Sequence, residues 1–143
     1  MARVVVHLHG KPKDVGARNM IEMYAQRISS YGAGVVFHPG RQTALQFEER
    51  INSIDGDVMI LDEAGQQMTS MEFAGVIQGT TISGRTLNLI VGPADGFSPS
   101  IKDRFSSISL SMMTYPHEMA ATMLLEQVYR AYEINRGSPY HRE

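Results

Sequence analysis

The segment LNLIVGPADGFSP, Leu87 to Pro99, sets a glycine-rich turn directly after an apolar run and before a Ser-Pro pair that suits a helix start. Backbone amides in such a turn can approach a ligand closely. The spacing is neither a dinucleotide fingerprint nor a P-loop. Two readings stand, a ligand loop or the tight turn that Gly and Asp make in many strand-to-helix connections. Pro93 bears on both because it has no amide hydrogen to donate. The acidic segment LDEAGQ, Leu61 to Gln66, likewise follows an apolar run, and its Asp62 and Glu63 either hold ribose hydroxyls or cap the next turn. In SLSMMTYPHE, Ser109 to Glu118, two methionines lead into Tyr-Pro-His, and they either pack against an adenine or fill core.

The tail SPYHRE, Ser138 to Glu143, combines a proline, an aromatic, a histidine and an arginine. Its histidine could take a proton, its arginine bind phosphate and its tyrosine stack on a base; the other reading is a solvated end. His7 and His9 are two apart, so both face one side of a strand, as metal ligands sometimes do. No further ligands at metal-site spacing accompany them, and no metal is expected. His38, before Pro39, reads as a loop residue.

Positioning these residues requires a frame, and five short apolar runs provide one: Val4 to Leu8, Val35 to Phe37, Val58 to Leu61, Leu87 to Val91 and Ile108 to Leu110. Helical patterns fall between them. Met20, Tyr24, Ile28 and Tyr31 recur at helical spacing before Gly32 and Gly34; Phe47, Ile51 and Ile54 follow the capping-box pair Thr43 and Gln46. Thr69 and Glu72 repeat that pair ahead of Phe73, Val76 and Ile77, and Ser98-Pro99 opens a helix with Ile101 and Phe105 inward. The last helix is predicted from about His117 to Asn135, with Met123, Leu124, Val128 and Ala131 toward the core and Gly137 and Pro139 ending it. Five alternations of strand and helix predict an α/β fold, a mainly parallel sheet with helices on both faces and ligands at the carboxyl ends of the strands. Chain-connection rules alone draw it unknotted.

The totals limit the function classes. At 143 residues the chain fits a single domain, 1–143, and without cysteine it has no disulfides, thiolate zinc sites or cysteine nucleophiles. A cytoplasmic setting is expected. No apolar run approaches the roughly 18 residues of a membrane span, and no signal peptide opens the chain. With a formal charge of -2, bulk charge does not hold nucleic acid, so an RNA partner needs a local patch or a larger assembly.

LDEAG with the following SMEFA, GPADGFSP, ISLSMMTYPHEMA and LLEQVYRAYEINRGSPYHRE, taken in order, resemble the RlmH family of SPOUT-class methyltransferases; HGKPKD and MYAQR extend the resemblance toward the N-terminus. The resemblance implies a SPOUT α/β-knot with a C-terminal trefoil knot, overruling the unknotted drawing. It implies a cytoplasmic homodimer that uses S-adenosylmethionine to methylate N3 of a pseudouridine in large-subunit ribosomal RNA, with the ribosome as partner and neither membrane nor DNA. The cofactor would be lined by Leu61, Asp62, Gly92, Pro93, Ser111, Met112, Met113, Thr114, Tyr115 and Pro116. Tyr140, His141 and Arg142 would complete the active site near the dimer interface, with His141 as proton acceptor and His117 and Glu126 as further candidates. Two positions depart from the family pattern. Gly92-Pro93 stands where Gly-Gly is usual, removing an amide donor and stiffening the loop, and Ala121 stands where an arginine is usual. The alternative reading is therefore a catalytically impaired homologue that acts as a ribosome- or RNA-binding module.

Overall fold

The apolar runs rich in Val, Ile and Leu form β1 (Val4–His9), β2 (Gly34–His38), β3 (Asp57–Gln67), β4 (Leu87–Val91) and β5 (Ser106–Ser109) in a computed structural model that describes residues 3–142. Between and after them lie α1 (Val15–Ser29), α2 (Ala44–Asn52), α3 (Ser70–Ser83), α4 (Pro99–Arg104) and α5 (His117–Arg136). All strand pairs are parallel, in the order β2-β1-β4-β3-β5. This is the expected α/β sheet.

Alternation along the strands sorts the two faces. Val4, Val6, Leu8, Leu87, Leu89 and Val91 pack with Ile21, Tyr24 and Ile28 of α1, Phe73 and Ile77 of α3, and Leu124, Leu125 and Val128 of α5. Ile60 and Ile90 point the other way, onto Phe47 and Ile51 of α2 and Ile101 of α4. Helices thus cover both faces. Phe47, Ile51, Ile60 and Ile90 are fully buried, and truncating any of them to alanine costs about 2–5 kcal/mol.

Local signals set most helix ends. Thr43 with Gln46 and Thr69 with Glu72 form reciprocal capping boxes, Ser98 caps α4 with Pro99 in its first turn, and Gly137 ends α5 in the left-handed conformation at φ 81°. β3 and α1 depart from expectation. β3 does not stop at Leu61 but runs on to Gln67, with its register to β5 shifting between Leu61 and Gln66. Gly65 permits this: a Cβ there would lie 2.8 Å from the backbone of Ile108, so only glycine lets the two strands approach. In α1 the buried stripe is Ile21, Tyr24 and Ile28, while Met20 is exposed.

His7 and His38 are buried beneath α2 and joined in one hydrogen-bond chain, His38 as the last residue of β2 rather than a loop residue. Asn88 donates through Nδ2 to the carbonyls of Asp55 and Asp57 at 2.9 and 3.1 Å, so its Oδ1 accepts from His7 Nε2 at 2.8 Å. That leaves His7 Nδ1 to accept from His38 Nε2 at 2.9 Å, with both rings neutral. Burial lowers both pKa values; for His38, desolvation followed by the charge of His7 brings it to about 4. His9 Nε2 donates to the carbonyl of Gln42 at 2.9 Å.

Candidate active site

Three chain segments, the middle of β3 and the loops at the carboxyl ends of β4 and β5, meet beside the first turn of α5 and enclose a cleft of about 270 Å³. The turn after β4 is fixed at both ends. Gly96 donates to the Pro93 carbonyl at 2.8 Å, and Ser98 reaches the Glu48 carboxylate of α2 through its amide at 2.8 Å and its hydroxyl at 2.6 Å. The loop after β5 is tied to β3, because the Thr114 hydroxyl donates to the Glu63 carboxylate. Ser109 Oγ lies 3.0 Å from the Glu63 carbonyl and 2.7 Å from the Ser111 carbonyl, and the Met113 amide donates to Ser111 Oγ at 3.0 Å.

Leu61, Asp62, Gly92, Pro93, Ser111, Met113, Thr114 and Tyr115 all line this cleft. Met112 and Pro116 do not: Met112 points to solvent at 81% exposure, and Pro116 is the N-cap residue of α5. Glu63, weighed from the sequence as a ribose or capping carboxylate, and His117, weighed as a proton acceptor, line it too, and the structure adds Asp95 and Lys102. Asp95 shares the glycine-rich turn and so was in view from the sequence. Lys102 comes in from α4, with Nζ 3.7 Å from Asp62, and nothing local in the sequence marks it. The donor set fits S-adenosylmethionine. Carboxylates at Asp62 and Glu63 can accept from ribose hydroxyls and offset a positive charge, hydroxyls and loop amides supply polar contacts, and Leu61, Pro93 and Met113 give apolar surface.

The tail is docked elsewhere. Tyr140 donates its hydroxyl to Glu126 at 2.8 Å and packs edge-on against Tyr129 at 4.9 Å, and the Arg130 guanidinium lies 4.9 Å above its ring. Burial and then Glu126 raise the Tyr140 pKa, so it stays a phenol. Arg130 pairs with Glu126 at 2.7 Å and donates from Nη1 to His141 Nδ1 at 3.1 Å. A neutral His141 in this position carries its proton on Nε2. Arg142 is exposed. Among the described residues, none of the tail lines the cleft. From Ala120, the last cleft residue of α5, to Arg130 is about 15 Å along the axis at the usual helical rise. Glu126 and Arg130, which anchor the tail, carried no signal of this in sequence beyond the weaker proton-acceptor role considered for Glu126.

A second hollow of about 350 Å³ opens between α1, α3 and α5, lined largely by Met20, Tyr24, Met68, Phe73 and Met123, with Glu126 and Gln127 at its edge. It is larger and more apolar than the cleft; Met68 and Thr69 after β3 and Ser109 and Leu110 at the end of β5 also line it, but Glu126 is the one carboxylate among its lining residues, against Asp62, Glu63 and Asp95 in the cleft. The strand-end cleft is the better candidate for chemistry.

The chain matches the family described as "Predicted SPOUT methyltransferase" over residues 2–141. It is similar to "Ribosomal RNA large subunit methyltransferase H" of a Geobacter species, 37% identical over 146 residues that cover 94% of this chain and 95% of that protein. The protein of the same name from Prochlorococcus marinus subsp. pastoris is 32% identical over 141 residues, 98% of this chain and 96% of its own. That of Cereibacter sphaeroides is 45% identical over 86 residues, 59% of this chain and 56% of its own. A family match across nearly the whole length, on a parallel sheet whose strand ends hold the cleft, has one meaning: this chain belongs to the SPOUT methyltransferase family.

Proposed function

We propose that this protein methylates large-subunit ribosomal RNA at N3 of a pseudouridine, using S-adenosylmethionine held in the strand-end cleft. The observation that carries the reading is the convergence of Asp62, Gly92, Ser111 and Thr114, from three separate segments, on one cleft. When bound, the cofactor supplies an electrophilic methyl group on a sulfonium centre. Asp62 and Glu63 would hold its ribose, the loop at Gly92–Asp95 would cover it, and Leu61, Pro93 and Met113 would exclude water. Aligning substrate with cofactor in this way contributes several kcal/mol, roughly, to the rate.

The target nitrogen lies between two carbonyls and carries a proton at neutral pH, so a base must take it. His141 is the residue proposed for that role, with Tyr140 and Arg142 positioning the base. In the docked tail, Nδ1 of His141 faces Arg130, so its one lone pair is occupied. Proton transfer to this ring therefore requires the tail to leave Arg130. The reading is completed by a homodimer in which the tail of one copy reaches the cleft of the other, since a tail held far along its own α5 does not line its own cleft. A single cytoplasmic domain, a C-terminal trefoil knot and the ribosome as partner belong to the same proposal, with neither DNA nor membrane; among the described residues no helix is long and apolar enough to cross a membrane.

The second reading is an RNA-binding module with impaired catalysis. Pro93 favours it by lining the cleft without an amide hydrogen to offer. Ala121, buried at 3% exposure outside the cleft lining, brings no cation to meet phosphate or a partner subunit. Titrating S-adenosylmethionine into the protein separates the two. Saturable binding that weakens in Asp62→Ala supports the methyltransferase; ribosome cosedimentation without cofactor binding supports the module.

A further inference from the structure

The carboxyl edge of the sheet is divided by charge. Asp62 and Glu63 lie in β3 just past its last pairing with β4, and Asp95 follows β4, answered on the cleft wall by Lys102. Across the neighbouring strands the sign reverses: Lys11 and Lys13 follow β1, Arg41 follows β2, and all three are exposed. The order β2-β1-β4-β3-β5 places these cations side by side on one half of the edge, with the acidic cleft on the other.

The carboxylates within the basic half are turned onto the backbone. Asp14 accepts from the Ala17 amide at 2.9 Å, and Glu118 accepts from the amides of Lys13 and Asp14 at 3.0 and 3.1 Å. These bonds engage both carboxylates and the amides of Lys13, Asp14 and Ala17, and the side chains of Lys11, Lys13 and Arg41 are the cations this surface offers an anion. The two basic loops also form one body. Gly10, at φ 79°, donates to the His38 carbonyl at 2.7 Å and lies against Gly40, while His9 holds the Gln42 carbonyl. Glu118, next to the cleft residue His117, ties that body to the first turn of α5.

With a formal charge of -2, the chain as a whole does not attract a polyanion, and the acidic cleft repels one. We propose that Lys11, Lys13 and Arg41 form the contact surface for the sugar-phosphate backbone beside the target nucleotide, leaving the acidic half to the cationic cofactor. This rests on the RNA-methylation reading above and adds where the RNA lies.

The test is labelled-methyl transfer to large-subunit RNA lacking the modification, measured across a range of KCl concentrations. The triple variant Lys11→Gln, Lys13→Gln, Arg41→Gln should raise KM for RNA about tenfold at low salt, and should flatten the logarithmic salt dependence of RNA affinity by about 2. S-adenosylmethionine affinity should be retained, which also reports that the variant is folded. Arg85→Gln, at the amino end of the sheet where Arg85 pairs with Asp57, should leave both RNA quantities unchanged. A triple variant with the parent's KM and salt dependence overturns the inference, as does one that loses cofactor affinity instead. A parent protein that binds cofactor but transfers no methyl to RNA overturns the underlying reading, and this one with it.

Discussion

The loops around the cleft are each held by a different neighbour, whereas the tail is docked mostly along α5, with Tyr24 of α1 beside Tyr140. Glu48 anchors the turn after β4, Glu63 anchors the loop after β5, and Glu118 anchors the loop after β1. The tail rests on Glu126, Tyr129 and Arg130 of its own α5. A surface cross-braced from several elements resists deformation. The cleft is thus built to hold a ligand in fixed geometry. The proposed role of His141 requires the tail to leave its dock on Arg130.

Removing residues 138–143 tests this division with the largest expected effect. Methyl transfer should fall at least about a hundredfold, with His141→Ala accounting for most of it, while S-adenosylmethionine affinity stays within about threefold of the parent. Equal losses in both would merge the two regions into one site. Gly65→Ala should act in the opposite sense, weakening cofactor binding along with stability. Its added Cβ meets the backbone of Ile108, which costs about 1–3 kcal/mol in thermal or denaturant unfolding.

Glu126→Gln should lower stability by only about 1 kcal/mol, since it weakens charge-assisted bonds to Tyr140 and Arg130 at a half-buried site. Its clearer signature should be faster trimming of the tail by carboxypeptidase, with cofactor affinity unchanged.

Acidification acts on the frame of the sheet and has no effect at neutral pH. The folded His38 pKa of about 4 lies below the unfolded value near 6.5, so the unfolded chain takes up the proton first. The contribution is complete above about pH 6.5 and is lost as pH falls toward 4. Urea unfolding at a series of pH values should show that slope, and His38→Gln should flatten it.

Capping boxes at Thr43 and Thr69, the Ser98-Pro99 start and the Gly137 stop were readable because each depends on residues three or four positions apart. The true length of β3 was not, because it turns on Gly65 meeting Ile108 across the sheet. Of the cleft, Asp62, Gly92, Ser111, Met113, Thr114 and Tyr115 came from ordered motifs and their family resemblance, without which the glycine-rich turn stayed ambiguous. Lys102 and the Glu118 clamp come from elements distant in sequence, and no periodicity displays them. The tail's composition marked it as unusual but gave no hint that Arg130 would occupy His141.

The central claim is that the strand-end cleft holds S-adenosylmethionine for transfer to ribosomal RNA. Its most direct test is incubation of the purified protein with labelled S-adenosylmethionine and large-subunit RNA from cells lacking the modification, followed by analysis of the labelled nucleoside. The account predicts label on the base of one pseudouridine, lost in Asp62→Ala. A cofactor-binding protein that leaves the RNA unlabelled, or an Asp62→Ala variant that labels it as fast as the parent, would contradict it.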